Sequence, residues 1–375
     1  MSTVILILIG VAYVALIGAF SYGFEKVPEF RASRPSPMTR FCLVVPFRNE
    51  AHELPNLLVS LAELDYPSDL LECLFVDDSS DDASVALIRS ASLPFPVSIL
   101  PNRRLTASPK KDAIVTAIEA TGMDWIITTD ADCTMGANWL RTYDAFIQEK
   151  QPDFIAAPVG VTSQSEYWPA LQVMEHMALQ GATIGGFGIG KPFLCNGANM
   201  AYTKQFFQES YGYRGNDAIA SGDDVFLLHK AVRARKKTAF LKAKEAIVWT
   251  GLAPDFATYL QQRVRWARKS PGYRNTFARI VAAVVFFGNL FPAIALLFFV
   301  SRSSLSVPAD LQTAAWFFAS KCMVDYALLT RTRRFFRVYA YHFFSGSLVY
   351  PFLSSFVAIR SMWGGYTWKG RRFRR

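Results

Sequence analysis

The feature that most constrains this chain is the placement of its apolar residues. Val4–Phe20 runs without a charge, and with its flanks it reaches the ~20 residues a helix needs to cross a bilayer. A second apolar concentration fills about 279–360, and the stretch between has an ordinary mixture. Membrane helices at both ends of a water-soluble middle are therefore expected. A cleaved signal peptide would want a basic region ahead of the apolar core. None precedes Val4, so residues 1–24 read as a retained transmembrane anchor.

Lys26, Arg31, Arg34 and Arg40, with Pro28, Pro35 and Pro37, make 25–40 a basic linker. Basic flanks stay in the cytoplasm, which predicts an integral membrane protein whose main domain, 41–270, is cytoplasmic, as in a bacterial inner membrane. Beyond it, Ile280–Val300 reads as a span, Ala309–Thr330 as a weaker one carrying Lys321 and Asp325, and Val338–Ile359 as a fourth. Four crossings would put the basic tail, 361–375, outside, against the positive-inside rule. Lys321 and Asp325, four apart, are placed to pair on one helix face.

The net charge of +10 is concentrated late: residues 331–375 hold many Arg and no Asp or Glu. Beside hydrophobic spans this suits anionic lipid headgroups; no nucleic-acid-binding motif accompanies it. Five scattered cysteines without a CxxC pair argue against structural zinc and a disulfide framework. His52, His176, His229 and His342 form no ligand cluster.

Between 40 and 270, apolar runs alternate with helical stretches. Phe41–Pro46, Cys73–Asp77, Val97–Leu100 and Trp125–Thr129 read as buried strands; Leu54–Leu64, Ser84–Ala91, Lys110–Ala120 and Asn138–Lys150 read as helices. The alternation predicts an α/β fold, a mostly parallel sheet with helices on both faces. Ligands bind beyond the carboxyl ends of such strands. There stand Phe47-Arg48-Asn49-Glu50, Asp77-Asp78-Ser79-Ser80 and Asp130-Ala131-Asp132. Read as an extended segment, Asp130 and Asp132 point the same way and suit Mg2+ or Mn2+, which neutralises a departing diphosphate; the alternative is an acidic turn.

Ser221-Gly222-Asp223-Asp224 precedes an apolar helical run. Ser221 or Asp223 fits an N-cap, and Asp224 fits a general base for an acceptor hydroxyl. Gln262, Arg265 and Trp266 share one face of a helix over Asp255–Lys269. Arg pairs with phosphate and indole stacks on sugar; the alternative is an interfacial helix ahead of a span.

In this order the motifs resemble those of family 2 glycosyltransferases, which have the GT-A fold. The resemblance covers about 40 to 270. It implies an inverting transfer from a nucleotide-diphosphate sugar to an acceptor, with Glu50, Asp77 and Asp78 on the nucleoside and Lys111 near the donor. It assigns Asp130 and Asp132 to diphosphate and metal, Asp224 to the base, and Gln262, Arg265 and Trp266 to diphosphate and acceptor. Asn196 and Gly197, within Cys195–Asn199, fall where relatives shape the sugar and acceptor pocket, and Asp223 joins that group. Two motifs depart from the family's: Phe47-Arg48 replaces a small residue and Tyr, and Pro109-Lys110-Lys111-Asp112 replaces a Gly-Lys form. The expected acceptor is a lipid or lipid-linked molecule at the membrane. A processive polysaccharide synthase is the alternative, and a non-catalytic scaffold with the same fold is the reading from another class.

Overall fold

A computed structural model describes residues 3–33, 35–217, 219–300, 309–363, 365–368 and 371–373; Arg34 of the linker and Lys369, Arg374 and Arg375 of the tail lie outside these. In chain order the first elements are α1 (Thr3–Lys26), β1 (Phe41–Phe47), α2 (Leu54–Ala62), β2 (Leu71–Asp77), α3 (Ser84–Ser90), β3 (Val97–Pro101), α4 (Pro109–Ala120) and β4 (Trp125–Thr128). Next come β5 (Cys133–Met135), α5 (Trp139–Lys150), β6 (Phe154–Ala156), β7 (Val159–Gly160), α6 (Tyr167–Gly188), β8 (Met200–Thr203) and α7 (Lys204–Glu209). The last are α8 (Asp223–Arg233), β9 (Thr238–Phe240), β10 (Val248–Thr250), α9 (Phe256–Ala267), α10 (Thr276–Val300), α11 (Ala309–Phe336), α12 (Phe343–Trp363) and the paired strands β11 (Tyr366–Trp368) and β12 (Arg371–Phe373).

The chain forms two compact units, and neither is one continuous stretch. Val27–Thr162 with Pro192–Gly251 makes the α/β unit; Met1–Lys26, Ser163–Lys191 and Leu252–Arg375 make the helical unit. The α/β unit thus omits α6 and ends before α9.

In the α/β unit a seven-stranded sheet has the order β3-β2-β1-β4-β8-β6-β9. The first four are mutually parallel, β8 runs antiparallel to both neighbours, and β9 is parallel to β6. This is the mostly parallel sheet with helices on both faces that the alternation predicts. β1 is almost entirely buried, as in a central strand covered on both faces, so it is apolar throughout rather than alternating. Phe41, Leu43, Val45, Phe75, Ile127 and Trp139 anchor the core. Phe47 is in register with Asp77 and Val44 with Thr128, so three neighbouring strands deliver their carboxyl ends side by side. A smaller sheet, β5-β10-β7, brings Thr250 opposite Cys133.

In the helical unit α6 lies against α1 through glycines. A Cβ on Gly185 would collide with the Phe20 backbone, and one on Gly188 with the carbonyl of Gly23. Such small-residue approach is how helices pack tightly without large side chains. Helix α11 runs alongside α1 in the same direction, with Phe317 against Gly10 and Arg331 paired to Glu25 at 3.1 Å.

Among the described residues, three helices are long and apolar enough to cross a membrane: Val4–Lys26, Thr276–Leu297 and Phe343–Trp363. Helix α11, the weaker expected span, is not among them; within that span its sequence holds Lys321 and Asp325. Lys321 and Asp325 do pair, at 2.6 Å, and Tyr13 of α1 donates to the same carboxylate at 2.9 Å. The last expected span begins later than Val338, because Arg337 and His342 adopt left-handed backbone that breaks the helix.

Candidate active site

The loops after β1 and β2 are sewn together. Arg48 donates to the carbonyls of Asp78, at 2.6 Å, and Ser79. Asn49 and Asp81 exchange two hydrogen bonds, and the backbone N–H of Glu50 donates to Ser84 Oγ at 2.9 Å. Asn49 and Ser79 both have positive φ, a conformation that these paired contacts hold in place. Asp77 folds back to accept from the Ser80 N–H at 2.9 Å, which leaves Asp78 as the carboxylate directed across the sheet. Asp78 is buried; it accepts from Asn102 at 2.8 Å and lies 3.5 Å from the Arg104 guanidinium.

Asn102 also donates to the Pro109 carbonyl at 3.0 Å, tying this corner to the start of α4. There Lys110 leads the site. Its Nζ is 2.6 Å from Asp130 and 3.3 Å from Asp223. Burial alone would lower the Lys110 pKa, but Asp130, Asp223 and Asp224 outweigh it and hold the ammonium well above its ordinary range. The neighbouring Lys111 makes a different set of contacts. It is buried, donates to the carbonyls of Asn216 and Ile219 at 2.7 and 2.8 Å, and sits 5.0 Å from the Phe226 ring.

Asp130 and Asp132 do not continue the strand. β4 ends at Thr128, and the Cys133 N–H donates to the Asp130 carbonyl at 3.2 Å, so the pair stands on a tight turn. The expectation of two side chains aligned along extended backbone is corrected accordingly. Asp132 accepts from Thr250 Oγ1 at 3.2 Å. Burial, then the nearby Asp130 charge, raises its carboxyl above the usual range. Among the described residues no three carboxylate, thiol or imidazole groups form a ready-made metal cage. Two adjacent carboxylates nevertheless fit the donor set Mg2+ uses when substrate phosphates and water complete its octahedron.

The N-cap of α8 is Gly222, in left-handed backbone at φ 84° and without a side-chain cap, so neither Ser221 nor Asp223 takes that role. Asp223 and Asp224 become the first two helical residues. Carboxylates are favoured there by the helix dipole, and Asp224 accepts from the Val225 N–H at 2.6 Å. Gly197 closes the group: its carbonyl accepts from Thr128 Oγ1 at 2.8 Å. A Cβ at this position would stand 2.7 Å from Asp223 Oδ2 and 3.2 Å from Lys110 Nζ. Asn196 caps the same turn, accepting from the Ala198 N–H at 3.0 Å. Beneath it the buried Asn199 accepts from Trp139 and Tyr143 and donates to the carbonyls of Pro158 and Ala246. Two of the histidines bond backbone carbonyls: His229 that of Phe193 and His342 that of Ser165, each at 2.9 Å.

The structure thus gathers Asp130, Asp223 and Asp224 about Lys110, with Asp132 beside Asp130 and Asp78 linked through Asn102. Gln262, Arg265 and Trp266 lie on α9, in the helical unit. The sequence motifs include Arg48 and Lys110 without giving either a role, and Asn102 and Thr250 fall outside them. Lys110 had a usable signal: Lys111 is in helical register with Ile114 and Ile118, both buried, which marks Lys111 as the inward one.

The fold is GT-A-like. Residues 42–210, a little under half of the chain, match the family model described as Glycosyl transferase family 2. The chain is 22% identical over 253 residues to an N-acetylglucosaminyltransferase of Rhizobium meliloti, spanning 64% of this chain and 57% of the relative. It is 26% identical over 213 residues to a beta-monoglucosyldiacylglycerol synthase of Synechocystis, spanning 56% of this chain and 40% of the relative. The matched stretch is thus less than two thirds of either relative. Among solved structures, the fold is similar to that of a mannosyltransferase from Pyrobaculum calidifontis in complex with GDP-Man and Mn2+, with TM-score 0.56, 19% identity, and coverage of 96% of this chain and 99% of that one.

Proposed function

We propose that this protein is an inverting glycosyltransferase that moves a sugar from a nucleoside-diphosphate sugar to a lipid or lipid-linked acceptor at the membrane. The observation that carries the reading is the acidic group about Lys110. Carboxylates from the β4 turn and the start of α8 converge on one ammonium, at the strand ends where α/β sheets bind ligands. The family match supports the same chemistry.

Asp224 accepts the proton of the acceptor hydroxyl, whose oxygen attacks the anomeric carbon from the face opposite the leaving group. One carbon–oxygen bond forms as the bond to the diphosphate breaks, and the electron pair leaves with the nucleoside diphosphate. Lys110 supplies fixed positive charge beside Asp130. Asp130 and Asp132 are the residues that would hold Mg2+ or Mn2+, which when bound neutralises the departing diphosphate. Asp77, Asp78 and Glu50 are proposed for the nucleoside, Asn196 and Gly197 for the sugar, and Gln262, Arg265 and Trp266 for diphosphate and acceptor. The name of the Synechocystis relative, a diacylglycerol lipid synthase, and the three membrane-length helices support a lipid acceptor. Lys26 at the end of α1, with Arg31 and Arg40 after it, supports a cytoplasmic catalytic unit.

The test is nucleoside diphosphate release from a panel of nucleotide sugars, with membranes and Mg2+ or Mn2+ present. Release that depends on Asp224 supports the reading; no release with any donor, or full release by Asp224→Asn, overturns it in favour of a non-catalytic scaffold. The Gln262–Trp266 segment also suits a processive polysaccharide synthase, and product length separates one added sugar from a polymer.

A further inference from the structure

Arg263 stands inside the Gln262–Trp266 segment at a position to which the reading above gives no role, yet its side chain makes contacts on every side. It is buried, and its Nε donates to Glu175 Oε2 of α6 at 2.5 Å. The same carboxylate oxygen accepts from Tyr259 at 2.9 Å, while Oε1 accepts from Tyr350 of α12 at 3.4 Å. The other edge of the guanidinium turns back on its own helix. One terminal nitrogen donates to the Gln262 amide oxygen, and the group lies 4.4 Å from the centre of the Trp266 ring and 4.5 Å from that of Tyr259.

One guanidinium is thus bonded to the first residue of the segment and stacked on the last, while a carboxylate on another helix holds it still. We propose that Arg263 and Glu175 form a positioning pair that sets the Gln262 amide and the Trp266 indole for work on the nucleoside diphosphate and acceptor; this rests on the function proposed above.

A buried ion pair is poor evidence for stability, since apolar replacements of like volume often do as well. What it supplies here is direction. A planar fork with five donors addresses carboxylate, amide and ring at once, which a lysine ammonium does not. The competing account is that the pair merely fastens α9 to α6 and α12. That account predicts less folded protein but unchanged kinetic constants in what remains.

The test uses full-length protein in lipid nanodiscs, with kcat and KM for the nucleotide sugar corrected for the folded fraction. Binding of UDP and GDP by calorimetry gives the same comparison without turnover. Arg263→Lys and Glu175→Gln are expected to reduce kcat/KM by about tenfold to a hundredfold, the scale of one lost charge-assisted hydrogen bond. The Arg263→Lys/Gln262→Ala double variant should be no worse than the poorer single, because both remove one arrangement. Losses that multiply, or variants with a lower Tm and unchanged kcat, KM and diphosphate affinity, overturn the positioning role. An inactive Asp224→Asn beside fully active Arg263→Lys and Glu175→Gln sinks this inference alone. An Asp224→Asn that keeps full turnover sinks the proposed function instead, and the diphosphate affinities then decide the pair's role.

Discussion

Lys110 Nζ lies 2.6 Å from Asp130 Oδ1, so the first carboxylate of the expected metal pair already has a cationic partner built into the chain. A divalent ion at Asp130 must share or displace that ammonium. Lys110→Met is therefore expected to bind Mn2+ more tightly, on the order of tenfold, the equivalent of ~1.4 kcal/mol, while turnover at saturating Mn2+ falls because the fixed charge is lost. Calorimetric Mn2+ titration of both proteins checks the first half, and diphosphate release checks the second. Unchanged Mn2+ affinity would count against a cation site at Asp130.

Asp224→Asn keeps the size of the side chain and removes its basicity. Turnover should fall by about 10²- to 10⁴-fold, the usual worth of a positioned general base, with donor KM nearly unchanged. Single-turnover assays with matched donor occupancy separate the two effects.

Gly197→Ala places a methyl 2.7 Å from Asp223 Oδ2 and 3.2 Å from Lys110 Nζ. Both neighbours are ends of side chains, which shift more easily than backbone, so thermal stability should stay within ~1 kcal/mol of wild type. Activity is expected to drop at least tenfold as the acidic group is displaced. A variant with normal activity would show that this turn does not shape the reacting groups.

Gly185→Val puts branched bulk where α6 meets the Phe20 backbone. The two helices must separate, and the detergent-solubilised protein should unfold at a lower temperature. Ala at Gly122, where a Cβ meets no atom within 4 Å, serves as the control that should barely move it.

The strands of the α/β half were readable because β1, β2 and β4 are short apolar runs buried on both faces, and the acidic groups were readable because they follow those runs directly. Helix α6 was not. It contains Pro169, Gly181, Gly185, Gly186 and Gly188, and glycine is a poor helix former. Its helicity is upheld by tertiary packing on α1 rather than announced by local pattern. Strands of two to four residues such as β7 and β9 are too short to display a period of two. Residue types left Asp130–Asp132 open between an extended segment and an acidic turn, because chain geometry past a strand end depends on hydrogen bonds, here Cys133 to Asp130, that they do not spell out. Arg263 escaped notice because a buried arginine is recognised by its partners, and Glu175 lies 88 positions away in the chain.

The chain passes four times between its two units, with a consequence for biosynthesis. Helix α1 leaves the ribosome first, yet the carboxylate that Tyr13 contacts, on Asp325, is 312 positions downstream, and the glycines that fit its other side wait on α6. For most of translation its inward surface must be covered by something else, lipid or an insertion factor. A truncated protein ending after β10 would leave that surface permanently without its α11 contacts.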